Sequence, residues 1–254
     1  NLIVSKKALT IIIILIPLIL KSDEVKPKKF NYSIGPAILW QNSIYKGMDN
    51  IFLPLPFITF SYGDKLNFSG LGGSYKIYSS KKSEYRLNFG IRFSGFDPDK
   101  SDYLKGMRER KTQFNISNSY QYDFSKLFIG AKISFDINNS NNGYETEVFL
   151  GKKIFYKGSM FNFRIKGIYE SSERANLNYG VYKNEILPER PYYKPDDVMS
   201  FSADAFYTKP VGKNNNKFLF FMVSYKRLND RIVKSPIIDS KSEITSFGGM
   251  FFKF

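Results

Sequence analysis

Glu145 and Glu147 lie two residues apart, so in an extended segment both carboxylates share one face. This is the arrangement in the chain that acid–base catalysis by paired carboxylates would use. The plainer reading is charge that faces nearby Lys and Arg. Asp97-Pro98-Asp99, with Asp102, gathers carboxylates that a hard cation such as Ca²⁺ accepts. The same residues also make an ordinary exposed turn, and no metal or other cofactor is expected. Gly70, Gly72 and Gly73 have no helix after them, so they read as a turn rather than a phosphate cradle. Lys with interleaved Tyr and Phe resembles a stacking platform for single-stranded nucleic acid. Here the rings fall on the face opposite the charges, so no nucleic-acid partner is expected.

Two absences exclude more than these residues offer. The chain has no His and no Cys. That removes Ser-His and Cys-His catalysis, Cys-ligated zinc and iron–sulfur sites, and any disulfide framework. Membrane barrels that hydrolyse lipids or proteins with a His base have no counterpart here, so the sequence reads as a non-enzyme.

The elements that carry these residues follow from a period of two. The chain has 254 residues, with 38 Lys+Arg against 23 Asp+Glu, a formal charge of +15, and 17% aromatic residues beside 43% hydrophobic. Phe114, Ile116, Tyr120, Tyr122 and Phe124 alternate with Gln113, Asn115, Ser117, Ser119 and Asp123. Leu127, Ile129, Ala131, Ile133 and Phe135 alternate with Lys132, Ser134 and Asp136. Tyr85, Leu87, Phe89, Ile91 and Phe93 oppose Arg86 and Arg92, and Phe161, Phe163 and Ile165 oppose Arg164 and Lys166. Further strands read at 30–41, 53–62, 144–156, 198–209, 216–227 and 242–254. The piece 65–79 is two short strands about a tight turn or one long bulged strand. No segment has helical periodicity. The strands are longer than the about 5–6 residues usual in soluble sheets and match the about 9–11 that cross a bilayer.

The expected fold is therefore all-β, an antiparallel transmembrane β-barrel of about twelve strands, with ten as the fallback. Lys6 and Lys7 before the apolar run Ala8–Leu20 read as a signal peptide over 1–21. A periplasmic linker over 22–29 and a barrel over 30–254 follow. Arg86, Arg92, Lys132, Asp136, Glu145, Glu147, Arg164 and Lys166 are expected to face a polar lumen. The turns 63–65, 80–83, 123–126, 157–158 and 210–215 would face the periplasm. The long polar stretches 97–111, 171–197 and 228–241 would form exterior loops, with Tyr192, Tyr193 and Lys194 as candidate contacts. Phe252 and Phe254 close the chain as an aromatic-x-Phe end, which resembles the signal read by the barrel-assembly machinery.

Several fragments, in order, resemble the MipA/OmpV family of outer-membrane proteins. Tyr45-Lys46-Gly47 with Pro54 and Pro56 is similar to its Y-x-G…P-x-P region. Leu104, Gly106 and Met107, followed by Arg110 and Thr112, are similar to L-x-G-M…R-x-T. Tyr179-Gly180-Val181 matches its Tyr-Gly-Val element, and Ser235-Pro236-Ile237 its S-P-I element. Lys234 replaces the usual acidic residue, and Phe252 the usual Tyr. The resemblance implies a barrel in the outer membrane of a Gram-negative bacterium, amid membrane lipid and lipopolysaccharide. It implies a scaffold that joins a lytic transglycosylase to a penicillin-binding protein. Other family members are tied to adhesion or solute uptake, which keeps a small-solute channel, leaning to anions, or a surface adhesin as the alternative.

Overall fold

A computed structural model of the protein describes residues 30–138, 143–212 and 216–254. The expected signal peptide and linker lie outside the described residues. Twelve strands run β1 (Phe30–Gln41), β2 (Ile51–Tyr62), β3 (Leu66–Ser69), β4 (Gly72–Ser79), β5 (Ser83–Arg92), β6 (Gln113–Phe124), β7 (Leu127–Asp136), β8 (Tyr144–Tyr156), β9 (Ser159–Glu170), β10 (Val198–Val211), β11 (Lys217–Arg227) and β12 (Ser242–Lys253). Each pairs antiparallel with its neighbours in chain order, and β1 closes on β12. No helix among the described residues is long and apolar enough to cross a membrane.

The alternation decides the faces. Ile34, Phe114, Ile116, Ile129, Ile133, Phe163, Ile165 and Phe201 all point outward and are exposed. A soluble protein would not leave so continuous an apolar surface in water, whereas a bilayer covers it. Asn118 also lies on this face, and its amide oxygen accepts the Tyr85 hydroxyl hydrogen at 2.9 Å, which gives that donor and that acceptor a partner away from water. Exposed rings cluster toward the short-turn end, among them Phe30, Tyr32, Tyr62, Phe124 and Tyr156, where amphipathic aromatics suit the lipid–water boundary. Phe254 stacks on Tyr32 there, with ring centroids 5.2 Å apart.

The structure settles one alternative that the sequence left open and departs from the expectation in two respects. The piece 65–79 is two short strands, and their turn at Gly70–Leu71 lies partway up the wall. The barrel therefore has twelve strands at the turn end and ten, twelve less β3 and β4, at the other. The lumen is polar on only one side. Ala37, Leu39, Phe57, Phe220 and Phe247 pack inside it, with Phe93, Phe206 and Phe251 against them. Phe93 lies just beyond β5, where the alternation has ended, and turns inward rather than to lipid. Finally, the long stretches are not open loops. They contain helices α1 (Ser172–Tyr179) and α2 (Asp230–Val233) and fold over one end of the barrel as a packed cap.

The outward assignment of β7 and β9 gives a direct test. Arg in place of Ile133 or Phe163 would put a charge on the lipid face at a cost of about 2–4 kcal/mol. Both variants should fail to acquire the fast, heat-modifiable migration of a folded barrel on unheated gels.

Candidate functional site

The cap grows from four separated segments that interlock through the backbone and one core. Leu104 and Met107, Tyr179 and Val181, and Ile237 and Ile238 are buried together with Ile44, Tyr45, Phe96 and Leu228. The Ser235 hydroxyl donates to the Tyr179 carbonyl at 2.6 Å, and the Tyr45 hydroxyl donates to the Asn178 carbonyl at 3.2 Å. The Lys46 N–H donates to the Ile237 carbonyl at 3.0 Å, and the Ser101 hydroxyl to the Lys46 carbonyl at 2.9 Å. Gly106 sits at φ +81°, a conformation that suits glycine, and turns the chain so that Leu104 and Met107 both point inward. Pro236 lies between Ser235 and Ile237 in the same short turn. Tyr45, Leu104, Met107, Tyr179, Val181 and Ile237, which carried much of the family resemblance, thus converge in one buried cluster, while Pro54 and Pro56 stand in the wall on β2. Tyr193 is half-buried against this core, with its hydroxyl on the Arg231 carbonyl, while Tyr192 and Lys194 are exposed.

Buried charge locks the cluster. Arg110 and Glu185 are 3.0 Å apart, and each side chain is 1% exposed. Glu185 also accepts the N–H groups of Arg108 at 2.8 Å and Tyr182 at 2.9 Å. Arg110 donates further to the Gly180 carbonyl at 3.2 Å and lies over the Tyr182 ring. Burial alone would raise the Glu185 carboxyl, but those two N–H groups and the Arg110 charge outweigh it and hold it below the usual carboxylate range. Arg190, also buried, donates to the carbonyls of Glu185, Tyr103 and Lys105. Burial pushes the Tyr45 hydroxyl well above its ordinary value, so it stays a neutral donor.

Beneath the cap lies a lumen cavity of about 450 Å³, lined among others by Arg92, Lys132, Glu145, Glu147, Lys166 and Lys226. Glu145 pairs with Arg92 at 2.5 Å and faces Arg174 of α1 at 3.7 Å. Glu147 pairs with Lys132 and lies 4.0 Å from Lys166. Arg164 and Lys166 both hold Asp204, at 2.9 and 3.0 Å. Lys226 holds Glu170 at 2.7 Å. Arg86 pairs with Glu84 and donates to Ser74 at 2.8 Å. Asp136 ends β7 on the same inner face and accepts the Asn138 N–H at 3.1 Å. The carboxylates at 145 and 147 are thus each held by cations, and the neighbouring hydroxyls of Ser202 and Ser224 donate to Asp204. Asp97 accepts the Asp99 N–H at 3.1 Å as a turn cap, and the described residues contain no group of three or more His, Cys, Asp or Glu able to hold a metal.

Sequence reading missed Glu185, Arg174, Arg190 and Asp204. One signal was available for Asp204, because it stands opposite Arg164 in the β9–β10 register. For the other three, most partners lie far away in the chain, on loops for Glu185 and Arg190 and on β6 and β8 for Arg174.

A closed antiparallel barrel with an apolar outer band, a charged lumen and a cap at its long-loop end is an outer-membrane β-barrel. The chain belongs to the MltA-interacting protein MipA family, whose family model matches residues 34–254. It is a protein of the Gram-negative outer membrane. A comparison with the curated proteins finds no match. Among solved structures, the NanC porin is similar at 10% identity and TM-score 0.41, over 89% of this chain and 99% of that one. OmpT of Vibrio cholerae is similar at 7% identity and TM-score 0.39, over 93% and 100%. The channel DcaP of Acinetobacter baumannii is similar at 7% and 0.38, over 92% and 100%.

The Arg110–Glu185 pair yields two expected outcomes. Arg110→Ala strands a buried carboxylate, which costs about 3–5 kcal/mol, whereas the double change to Met at 110 and 185 removes that charge and costs less, leaving only the Arg108 and Tyr182 N–H groups and the Gly180 carbonyl to find partners. Limited proteolysis should cut within 97–111 or 180–190 in the first variant and spare the second. Glu185 is more acidic in the folded cap than in the unfolded chain. Its contribution is complete above the ordinary Glu value of about 4.3 and fades as pH falls below it toward the folded value. Near-ultraviolet circular dichroism of the wild-type cap should be flat from pH 7 down to about 5 and change only below.

Proposed function

We propose that this barrel is a non-enzymatic scaffold of the cell envelope, with contacts to a lytic transglycosylase and a penicillin-binding protein through its periplasmic turns. The observation that carries this reading is the obstructed lumen. One end is covered by an interlocked cap, one side of the interior is packed with an apolar cluster rich in phenylalanine, and the polar side is crossed by ion pairs. Such an interior favours a body that presents surfaces over one that passes solutes. The short-turn rim supports the same reading, because Lys65, Lys81, Lys82, Lys126, Lys157 and Lys217 are all exposed there. A cationic rim attracts acidic protein surfaces and steers their approach. In this reading Phe252 and Phe254, outward on the last strand, serve assembly through the barrel-assembly machinery, and lipopolysaccharide surrounds the capped end.

One observation favours the channel instead, namely the charged cavity of about 450 Å³ below the cap. Two experiments separate the readings. Crosslinking in cells followed by purification should recover a murein hydrolase or synthase, and recovery should fall when Lys81, Lys82 and Lys126 are changed to Glu. In a planar bilayer the purified protein should show no steady conductance; steady conductance with no captured partner would establish the channel.

A further inference from the structure

The wall of the barrel has a slot. β3 pairs with β2 only from Thr59 to Tyr62, and β4 pairs with β5 only up to Gly90. Above the Gly70–Leu71 turn, the segment Ile51–Phe57 of β2 has β1 on one side and no strand on the other. The unpaired edge is about 20 Å long at about 3.3 Å per residue. Its floor is fixed by the Gly70 N–H on the Ile58 carbonyl and by the Ile91 N–H on the Leu71 carbonyl, both 2.9 Å. Gly70 takes φ +61° there, and a Cβ on it would stand 3.2 Å from the Phe57 ring. The top is spanned by the Gln41 side chain, whose amide donates to the Phe93 carbonyl at 3.4 Å.

The backbone of the edge says what the slot can take. Ile58 directs its carbonyl toward the slot side, and alternate residues of a strand aim their polar groups the same way. Phe52, Pro54 and Pro56 therefore face the slot. Two of the three are prolines and have no N–H, so an incoming β-strand, from a partner or a second copy, would find one donor where it needs three. The edge instead offers carbonyls. No donor among the described residues reaches those of Phe52, Pro54 or Pro56. The surroundings are apolar on both faces. Phe52, Ile58, Phe89 and Ile91 flank the slot outside and are exposed, so it opens toward lipid. Leu53, Leu55, Phe57 and Phe93 lie behind it. Carbonyls without donors are costly in such a setting.

We propose that the slot is a binding site that admits one acyl chain and prefers one that carries its own hydrogen-bond donor, the amide-linked hydroxyacyl chain of an outer-leaflet glycolipid. The hydrocarbon lies on Leu53, Leu55 and Phe57, and the hydroxyl or amide N–H donates to the free carbonyls of β2. The slot lies in the half of the wall next to the cap, which is the outer-leaflet half of an outer-membrane barrel. The site is independent of the scaffold reading, since it uses none of the periplasmic turns.

Trp40 is the only tryptophan, so a single emitter can be moved. The full chain carrying W40F with Leu55→Trp is reconstituted in vesicles of phosphatidylcholine brominated along its chains. Leu53→Trp is a second probe, Asn162→Trp on the inner face of β9 across the barrel is the control, and heat-modifiable migration checks folding of each. The Leu55 or Leu53 probe should lose as large a share of its emission as wild-type Trp40 on the outer face, and the Asn162 probe should lose none. Unbrominated lipid A, with its amide-linked hydroxyacyl chains, should restore the emission, and phosphatidylglycerol of equal chain length should not. Unquenched probes at 53 and 55, a quenched probe at 162, or equal restoration by both lipids would each overturn the proposal.

Discussion

Inside hydrocarbon, a backbone N–H or C=O has no water to bond, and this constraint orders the rest of the structure. It requires β1 to meet β12, and it requires wall strands that run the depth of the membrane. It also explains a detail of sequence that the hydrophobic pattern leaves idle. Where the hairpin β3–β4 stops short, β2 becomes an edge. Soluble sheets blunt an edge with charge, which lipid makes expensive. Proline is the remaining device, and Pro54 and Pro56 stand where the edge faces the gap.

The cap obeys the same rule with side chains. Arg110, Arg174 and Arg190 are all buried, and each is met by a carboxylate, an amide oxygen or backbone carbonyls. An ion pair such as Arg110–Glu185 adds little net stability over hydrocarbon, whereas losing Arg190 would orphan three backbone carbonyls, so much of the value of these groups is positional. Guanidinium forks demand particular oxygens in particular places. Arg190 thereby fixes segment 103–105 against segment 185–190, and Arg110 fixes the Gly180 carbonyl. A core of Leu, Ile and Val alone would tolerate sliding. Arg174 extends the lock downward, since it reaches Glu145 on the wall, so cap and lumen are one network.

The wall was largely legible in the sequence because one face meets lipid and the other meets charge, which forces a period of two. Legibility failed where that contrast fails. Residues 51–58 and 218–223 are apolar on both faces, since their inner sides meet the phenylalanine cluster rather than a polar lumen. Alternation then cannot say which residues point inward. The cap was illegible for a different reason. Its residues look polar by composition, and its helices have eight and four residues, too few to show a periodic face. The motif fragments marked the right positions, yet nothing in their spacing revealed that they meet.

The positions of the charges settle what the +15 means. Inside the lumen the cations have partners, so the interior contributes little net field despite its many charged side chains. On the cap, exposed Lys and Arg are interspersed with Asp97, Asp99, Glu173, Glu189, Asp196 and Asp230. The short-turn rim lacks such a balance: its Asp123 is already engaged by Lys153 at 3.5 Å, and Asp64 stands against several exposed lysines. Among the described residues, the uncompensated charge therefore gathers at one end of the barrel. A ring of lysines set beside Tyr156 and Phe252 can bury its methylene stems against the rings and hold the ammonium groups in water. That gives the described barrel an electrostatic polarity along its axis, with a near-neutral, locked cap at one end and a cationic short-turn rim at the other.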